Sequence, residues 1–301
     1  MILYSLIMAA YNEEHHIKRA VDSVIAQTYD NWELLIVDDG SSDNTLNIAK
    51  EYSSQDKRIR VFSQPHSGIA SSARNTAMQH MIGDYMMMVD ADDYISTDML
   101  EKINARLDQH SFDIVVPIQR YLINGVERSA KCLGFGDIVL TGAQAFYMSL
   151  DWTVPGTFCV RSDIIRQLGG WDEEFFASDD ITFHKLYYNA DKVAFVDASY
   201  YYCQNDQGTT KSAENRTKLY YFLVVYYRLY EYTLEMGMEE QTRIAAAGSL
   251  LNMLIDHKTT YNAAKDTYTP EEQKEIEYIH NYVTSELIRK LIIPSRSSED
   301  T

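Results

Sequence analysis

The chain has 301 residues, 46% of them hydrophobic and 24% charged, which suits one large α/β domain with an appendage and excludes a disordered chain. A formal net charge of −17 repels phosphate backbones and excludes non-specific nucleic-acid binding. Cys132, Cys159 and Cys203 show no Cys-x-x-Cys or metal-type spacing, so a disulfide framework is excluded and a reducing compartment fits.

Leu3–Met8 is an apolar run that reads as a buried strand. Asn12 is positioned to cap a helix in which Ile17, Ala20, Val21, Val24 and Ile25 recur at helical spacing. A second strand at Glu33–Val37 stops at Asp38-Asp39-Gly40-Ser41. Asp43 is the expected cap of the next helix, which carries Leu46, Ile48, Ala49 and Tyr52. Arg58–Phe62 reads as a strand, Ser71–Met81 as a helix stopped by Gly83, and Tyr85–Val89 as a fourth strand. Strand and helix alternating at this spacing predict a parallel sheet with crossover helices. Ligands of such sheets sit beyond the carboxyl ends of the strands. Ala9–Tyr11, Asp38–Asp39 and Asp90–Asp93 all fall at that edge.

Beyond Asp113 the pattern loosens. Asp113–Ile118 and Tyr121–Ile123 read as strands, with a hairpin signal at Asn124-Gly125. Thr157–Val160 is another strand, and Ser162 is the expected cap of a short helix ended by Gly169-Gly170. Asp179–Asn189 reads as a helix, followed by strands at Lys192–Val196 and Tyr200–Tyr202. From about Glu214 the chain reads as helical, with a polar tail at Pro294–Thr301. The Tyr-rich stretch from Lys218 to Tyr232 is too apolar for an isolated helix and should pack on the catalytic domain or a second subunit. No apolar run is long enough to span a bilayer and no signal peptide is evident. The expectation is a cytoplasmic protein, with peripheral contact at the inner face of a membrane left open.

Asp90-Ala91-Asp92-Asp93 places three carboxylates within four residues, a costly arrangement unless a cation sits among them. Magnesium and manganese take oxygen ligands and share them with substrate phosphates. A solvated acidic turn is the competing reading, and the shared edge with Asp39 favours the metal. A carboxylate at Asp39 suits the N3–H of uracil, which cytosine lacks; an Asx turn explains the same residue equally well. There is no phosphate-binding Gly-x-x-x-x-Gly-Lys loop and no Gly-x-Gly-x-x-Gly fingerprint, so kinases and dehydrogenases drop away.

Taken together, Ser5–Tyr11 with Asn12-Glu13, Ser23–Tyr29, Glu33–Asn44, Gly68–Asn75 and Gly83–Asp93 resemble the inverting family 2 glycosyltransferases of the GT-A fold. The resemblance runs over residues 3–205. It implies a GT-A domain over 1–213, with a nucleotide-binding half over about 1–112 and an acceptor-side half over about 113–213. A helical C-terminal region over 214–301 would follow. The resemblance further implies that Ala9, Tyr11, Glu13 and Asp39 contact the uridine of a UDP-sugar, that Arg74 lies beside the nucleotide, and that Asp90 faces the ribose. Asp92 would hold a Mn²⁺ or Mg²⁺ ion of the DXD type, with Asp93 supporting the turn. Asp180 would be the catalytic base and Asp179, where relatives carry Glu, the residue that orients the acceptor. Relatives often add a histidine ligand where this chain reads Tyr202-Cys203-Gln204-Asn205-Asp206, so the third metal contact is open between Asn205, Asp206 and water. Trp171 is open between stacking on a sugar and filling the core. The acceptor, whether glycan, lipid-linked or protein, is not legible, and cell-envelope polysaccharide assembly is an analogy. A catalytically inactive binding module and a sugar nucleotidyltransferase are the rival readings. A homo-oligomer through the C-terminal helices is a further expectation.

Overall fold

A computed structural model describes residues 1–123, 125–129, 138–204 and 216–292. The chain divides into two units, Met1–Asp206 and Gln207–Thr301. The expected boundary at 213 and 214 lies outside the described residues, as do Asn124, Cys132, Asn205, Asp206 and the tail from 293.

In the first unit, β1 (Tyr4–Ala10), β2 (Trp32–Asp38), β3 (Ile59–Ser63) and β4 (Tyr85–Met88) form a parallel set in the order β3-β2-β1-β4. β1 and β2 are buried along almost their whole length. This is why they read as unbroken apolar runs: helices cover both faces. Crossovers α1 (Ile17–Ile25), α2 (Thr45–Gln55) and α3 (Ala70–Met78) connect them. Ile17, Ala20, Val21 and Val24 of α1 are fully buried, the stripe expected of a helix that covers a sheet. The sheet continues through β9 (Cys159–Arg161), β6 (Ile114–Ile123) and β10 (Lys192–Gln204) to β5 (Tyr94–Ile95). β9 runs antiparallel to both neighbours, while β6 and β10 are parallel. Two short strands, β7 (Val126–Ser129) and β8 (Val139–Thr141), pair with β6 and β10. The fold class is therefore the expected mixed α/β sheet flanked by helices.

Several local expectations are corrected. Asn12 does not cap α1, which begins at Ile17. Asn12 instead adopts φ 56° and accepts a hydrogen bond from the Ser42 N–H at 2.8 Å, using the tolerance of asparagine for the left-handed region. Asp43, the expected cap of α2, lies one residue before the observed N-cap Asn44 and accepts from the Thr45 N–H at 2.9 Å. The Ser162 hydroxyl makes no cap and has no hydrogen-bond partner. The strands expected at Lys192–Val196 and Tyr200–Tyr202 are one strand whose register shifts between Phe195 and Ser199. α4 (Met99–Gln109) follows the acidic turn with Asp98 at its N-cap, and one helix lies where none was named, α5 (Gly142–Ser149). α6 (Ser162–Gln167) and α7 (Asp179–Tyr188) match the expected short and long helices.

The second unit opens with a 3₁₀ turn at Lys218–Tyr221, followed by α8 (Phe222–Glu235), α9 (Glu240–Ala264) and α10 (Pro270–Ile292). Leu223, Val225, Tyr227 and Leu229 are buried, and α8 packs against α9 and α10 within this unit. Tyr220 stands edge-on to His257 at 4.8 Å between ring centres. No described helix is long and apolar enough to cross a membrane.

Candidate active site

The carboxyl ends of β1, β2 and β4 meet at one edge. Ala10 stands opposite Asp38 in the ladder, and the Asp39 N–H donates to the Ala10 carbonyl at 2.8 Å. Ala9 lies at the end of β1, and Tyr11 just beyond it stacks on His66, ring centres 3.8 Å apart and planes 15° from parallel. This flat shelf stands beside Asp39, which is buried. The Asp39 carboxylate accepts from Gln64 Nε2 at 2.7 Å, from the Ser67 N–H at 3.1 Å and from Ser67 Oγ at 3.0 Å. His66 Nδ1 lies 3.0 Å from the same carboxylate. Gly40 makes the close approach of this loop feasible: its φ is +73°, and a Cβ there would sit 2.7 Å from the His66 backbone nitrogen.

The acidic turn after β4 divides into different roles. Asp93 is buried and ties the turn to β10: its carboxylate accepts from the Cys203 N–H at 2.7 Å and from the Tyr200 hydroxyl at 2.9 Å. Tyr200 in turn accepts from the Asp90 N–H at 3.1 Å. Burial and the neighbouring Asp92 and Asp90 raise the Asp93 pKa well above the ordinary range. Asp92 is left half-buried. Burial, then Asp90 and Glu13, push its carboxyl up to about 7. Arg19 donates to the Asp92 carbonyl rather than to its carboxylate. Glu13 holds His16 Nδ1 at 2.8 Å, and burial raises its own pKa.

The chemistry of this donor set fits a hard divalent ion. Three carboxylates, Glu13, Asp90 and Asp92, disfavour each other's charge, and no Lys or Arg pairs with the Asp92 carboxylate among the described residues. The described residues contain no ready-made cluster of three ligands. Asp92 therefore suits a site whose remaining ligands are substrate phosphates and water.

Arg74 joins the two halves of the site. It is buried on α3, donates through Nη2 to Asp90 at 3.0 Å and through Nη1 to Asp179. The two carboxylates hold its guanidinium charged, with its pKa raised despite burial. The next residue, Asn75, donates to the Trp171 carbonyl at 2.8 Å and accepts from the Trp171 N–H at 2.8 Å. Its amide also reaches Glu173. Gly170 permits this, with φ +100° and a position where a Cβ would fall 2.5 Å from Asn75 Oδ1. Trp171 is a core residue: it is 3% exposed, edge-on to Phe183 at 5.3 Å, with the Arg74 guanidinium 5.7 Å above its ring.

Asp179 and Asp180 open α7, where the helix N-terminus favours negative charge. Burial and the adjacent Asp179 nevertheless raise the Asp180 pKa well above the ordinary range, against the lowering influence of Arg74. His66, Gln64, Ser67 and Asn75 were not singled out from sequence. Their partners in the site lie 25 to 98 residues away in the chain, so local spacing carried no signal for them.

Known proteins similar to this chain are glycosyltransferases. Glycosyltransferase GlyG of Streptococcus pneumoniae is 25% identical over 223 residues, 70% of this chain and 74% of that protein. An Escherichia coli protein, UDP-Glc:alpha-D-GlcNAc-diphosphoundecaprenol beta-1,3-glucosyltransferase WfgD, is 43% identical over 99 residues, 33% of this chain and 38% of WfgD. The chain spans as little as 16% of the length of other glycosyltransferases that it matches. The crystal structure of Staphylococcus aureus TarS 1-349 in complex with UDP-GlcNAc superposes with a TM-score of 0.71 at 22% identity, covering 92% of this chain and 79% of that one. The family model for glycosyl transferase family 2 matches residues 5–156, and with half of its length inside that match the chain belongs to this family.

Proposed function

We propose that the chain transfers a sugar from a UDP-sugar to an acceptor hydroxyl with inversion at the anomeric carbon, using Mn²⁺ or Mg²⁺, in the assembly of a cell-envelope polysaccharide. The observation that carries this reading is the convergence at one sheet edge of the Tyr11–His66 shelf with Asp39, the Asp90–Asp92 turn, and the Asp179–Asp180 pair reached through Arg74. The UDP-sugar donor and the envelope setting are supported by the names of WfgD and of the TarS complex.

The uracil lies against Tyr11 and His66, with Ala9 beside it, and Asp39 accepts its N3–H. Ser67 now contacts both Asp39 oxygens and must yield one of them for that contact. Glu13 and Asp90 border the ribose. Asp92 holds the divalent ion, with Asp206 as a further candidate; when bound, the ion offsets charge that grows on the departing diphosphate. Asp180 takes the acceptor hydroxyl proton as the oxygen attacks the anomeric carbon. That carbon–oxygen bond forms while the bond to the diphosphate breaks, and UDP leaves on the opposite face. A raised pKa makes Asp180 a stronger base than an ordinary carboxylate. Asp179, fixed by Arg74, orients the acceptor. Residues 1–213 form the catalytic part and 214–301 the helical appendage.

Calorimetry with UDP and with CDP, each with manganese, tests the donor. UDP should bind more tightly, and equal affinity rules out uracil reading by Asp39. Screening UDP-sugars for hydrolysis and transfer, with and without chelator, then identifies the sugar.

A further inference from the structure

Helix α9 is apolar on two faces that point in nearly opposite directions. Ala246, Leu250, His257 and Tyr261 are buried, and at 3.6 residues per turn they fall on one side, the side that packs within the helical unit. Ile244, Gly248, Leu251 and Ile255 recur at helical spacing along the far side. Ile244 is 64% exposed, Leu251 57% and Ile255 55%. A surface helix ordinarily carries one apolar stripe, so the second calls for a cover.

We propose that the cover is the same helix of a second copy, packed antiparallel about a twofold axis that passes between the two helices, level with the Ser249–Leu250 peptide bond. A twofold interface must be self-complementary, with each residue meeting a partner at the mirrored position. The stripe meets that requirement. Ile244 and Ile255 lie equally far from the midpoint, so isoleucine meets isoleucine at both ends. Gly248 and Leu251 are likewise matched, so each leucine enters the space left by the other copy's glycine.

Two observations favour this occupant. A Cβ added to Gly248 would meet nothing within 4 Å, so the chain's own packing gives no reason for a residue that weakens a helix interior. An incoming leucine supplies that reason. The charges fit as well. Glu240 and Lys258 lie on the same flank of the stripe, about 27 Å apart along the axis and nearly symmetric about its midpoint. Antiparallel pairing sets each Glu240 opposite the other copy's Lys258. Neither residue forms an ion pair within the chain among the described residues. Across two copies the six Ile and Leu side chains remove on the order of 600 Å² of apolar surface, about 300 Å² from each chain, comparable to the largest apolar patch on a typical monomer. A bilayer would also accept these side chains, yet it offers no partner to Glu240 and its anionic headgroups repel a chain of net charge −17.

Sedimentation of the full chain over a concentration series tests the proposal, with circular dichroism as the control for folding. The parent should dimerise reversibly. Gly248→Leu should block dimerisation while leaving helix content intact, because it fills open space and improves helix propensity. Lys258→Glu should weaken the dimer at least severalfold, and Glu240→Lys combined with Lys258→Glu should restore it. A chain that stays monomeric at every concentration overturns the proposal. So does a dimer indifferent to Gly248→Leu, or a swap that fails to rescue. Binding of the monomer to vesicles of anionic or neutral lipid, lost in Leu251→Asp, would overturn it in favour of a membrane surface.

Discussion

Replacing Arg74 with methionine removes one charge from the joint between Asp90 and Asp179 while keeping similar bulk. The Arg74 side chain is 7% exposed, that of Asp90 36% and that of Asp179 18%. Deleting one member of a fully buried ion pair costs about 3–5 kcal/mol, because a charge is left without a partner. Here both stranded carboxylates see some water, which recovers part of that cost and leaves about 2–3 kcal/mol. For a unit of this size each kcal/mol lowers the melting temperature by about 2–4 °C, so Arg74→Met should melt about 4–12 °C below the parent. Differential scanning calorimetry of the ligand-free full chain measures this, read on the transition of the catalytic unit. Arg74→Lys should fall between the two, because a single ammonium cannot span both carboxylates. A melting temperature within about 2 °C of the parent at neutral pH would show that the bridge adds little. The account of Arg74 as the joint of the site would then be wrong.

Asp180→Asn should lower transfer by about 10²–10⁴-fold at near-parental UDP affinity, measured by paired turnover and calorimetry; close to parental turnover places the base elsewhere. Because the Asp180 pKa is raised and the base works unprotonated, the rate should fall with decreasing pH through a limb above the ordinary carboxylate range. A limb near pH 4 would contradict that. Asp92→Ala should abolish manganese-dependent UDP binding with the fold intact, and parental affinity in the variant removes Asp92 as the ligand. His184 is buried, gives its Nδ1–H to Ser149 Oγ at 2.6 Å and is pushed down to about 3 by burial. Its unfolded pKa of about 6.5 is higher, so the unfolded chain takes up the proton first and stability falls as pH drops below about 6.5. Between pH 7 and 5 urea denaturation of the parent should lose about 2 kcal/mol more than that of His184→Gln, and equal losses would falsify the neutral, buried assignment.

The legible part of the fold was the part with short-range causes. β1, β2 and β4 are buried on both faces, so composition alone marked them, and their common polar ends located the site. The resemblance carried the acidic turn and the Asp179–Asp180 pair. α5 left a readable signal that was passed over: Thr141 and Gln144 form a reciprocal capping box. β10 was read as two strands because Asp197 interrupts its apolar run where the register shifts. The division of labour within the acidic turn had no local sign. Asp93 is distinguished from Asp92 only by Tyr200 and Cys203 of β10, over a hundred residues away. The stacking of Tyr11 on His66 is equally a product of the assembled sheet.

Arg74 and Asn75 are neighbours on one helix, and between them they grip Asp90, Asp179, Trp171 and Glu173. The two halves of the sheet domain that this grip joins are therefore not interchangeable cassettes. A chimera that imports residues 113–204 from a relative to change the acceptor inherits a Gly-Gly-Trp loop shaped for that relative's own α3. Grafts should carry residues 70–78 together with 169–180, so that the fingers and what they hold come from the same parent.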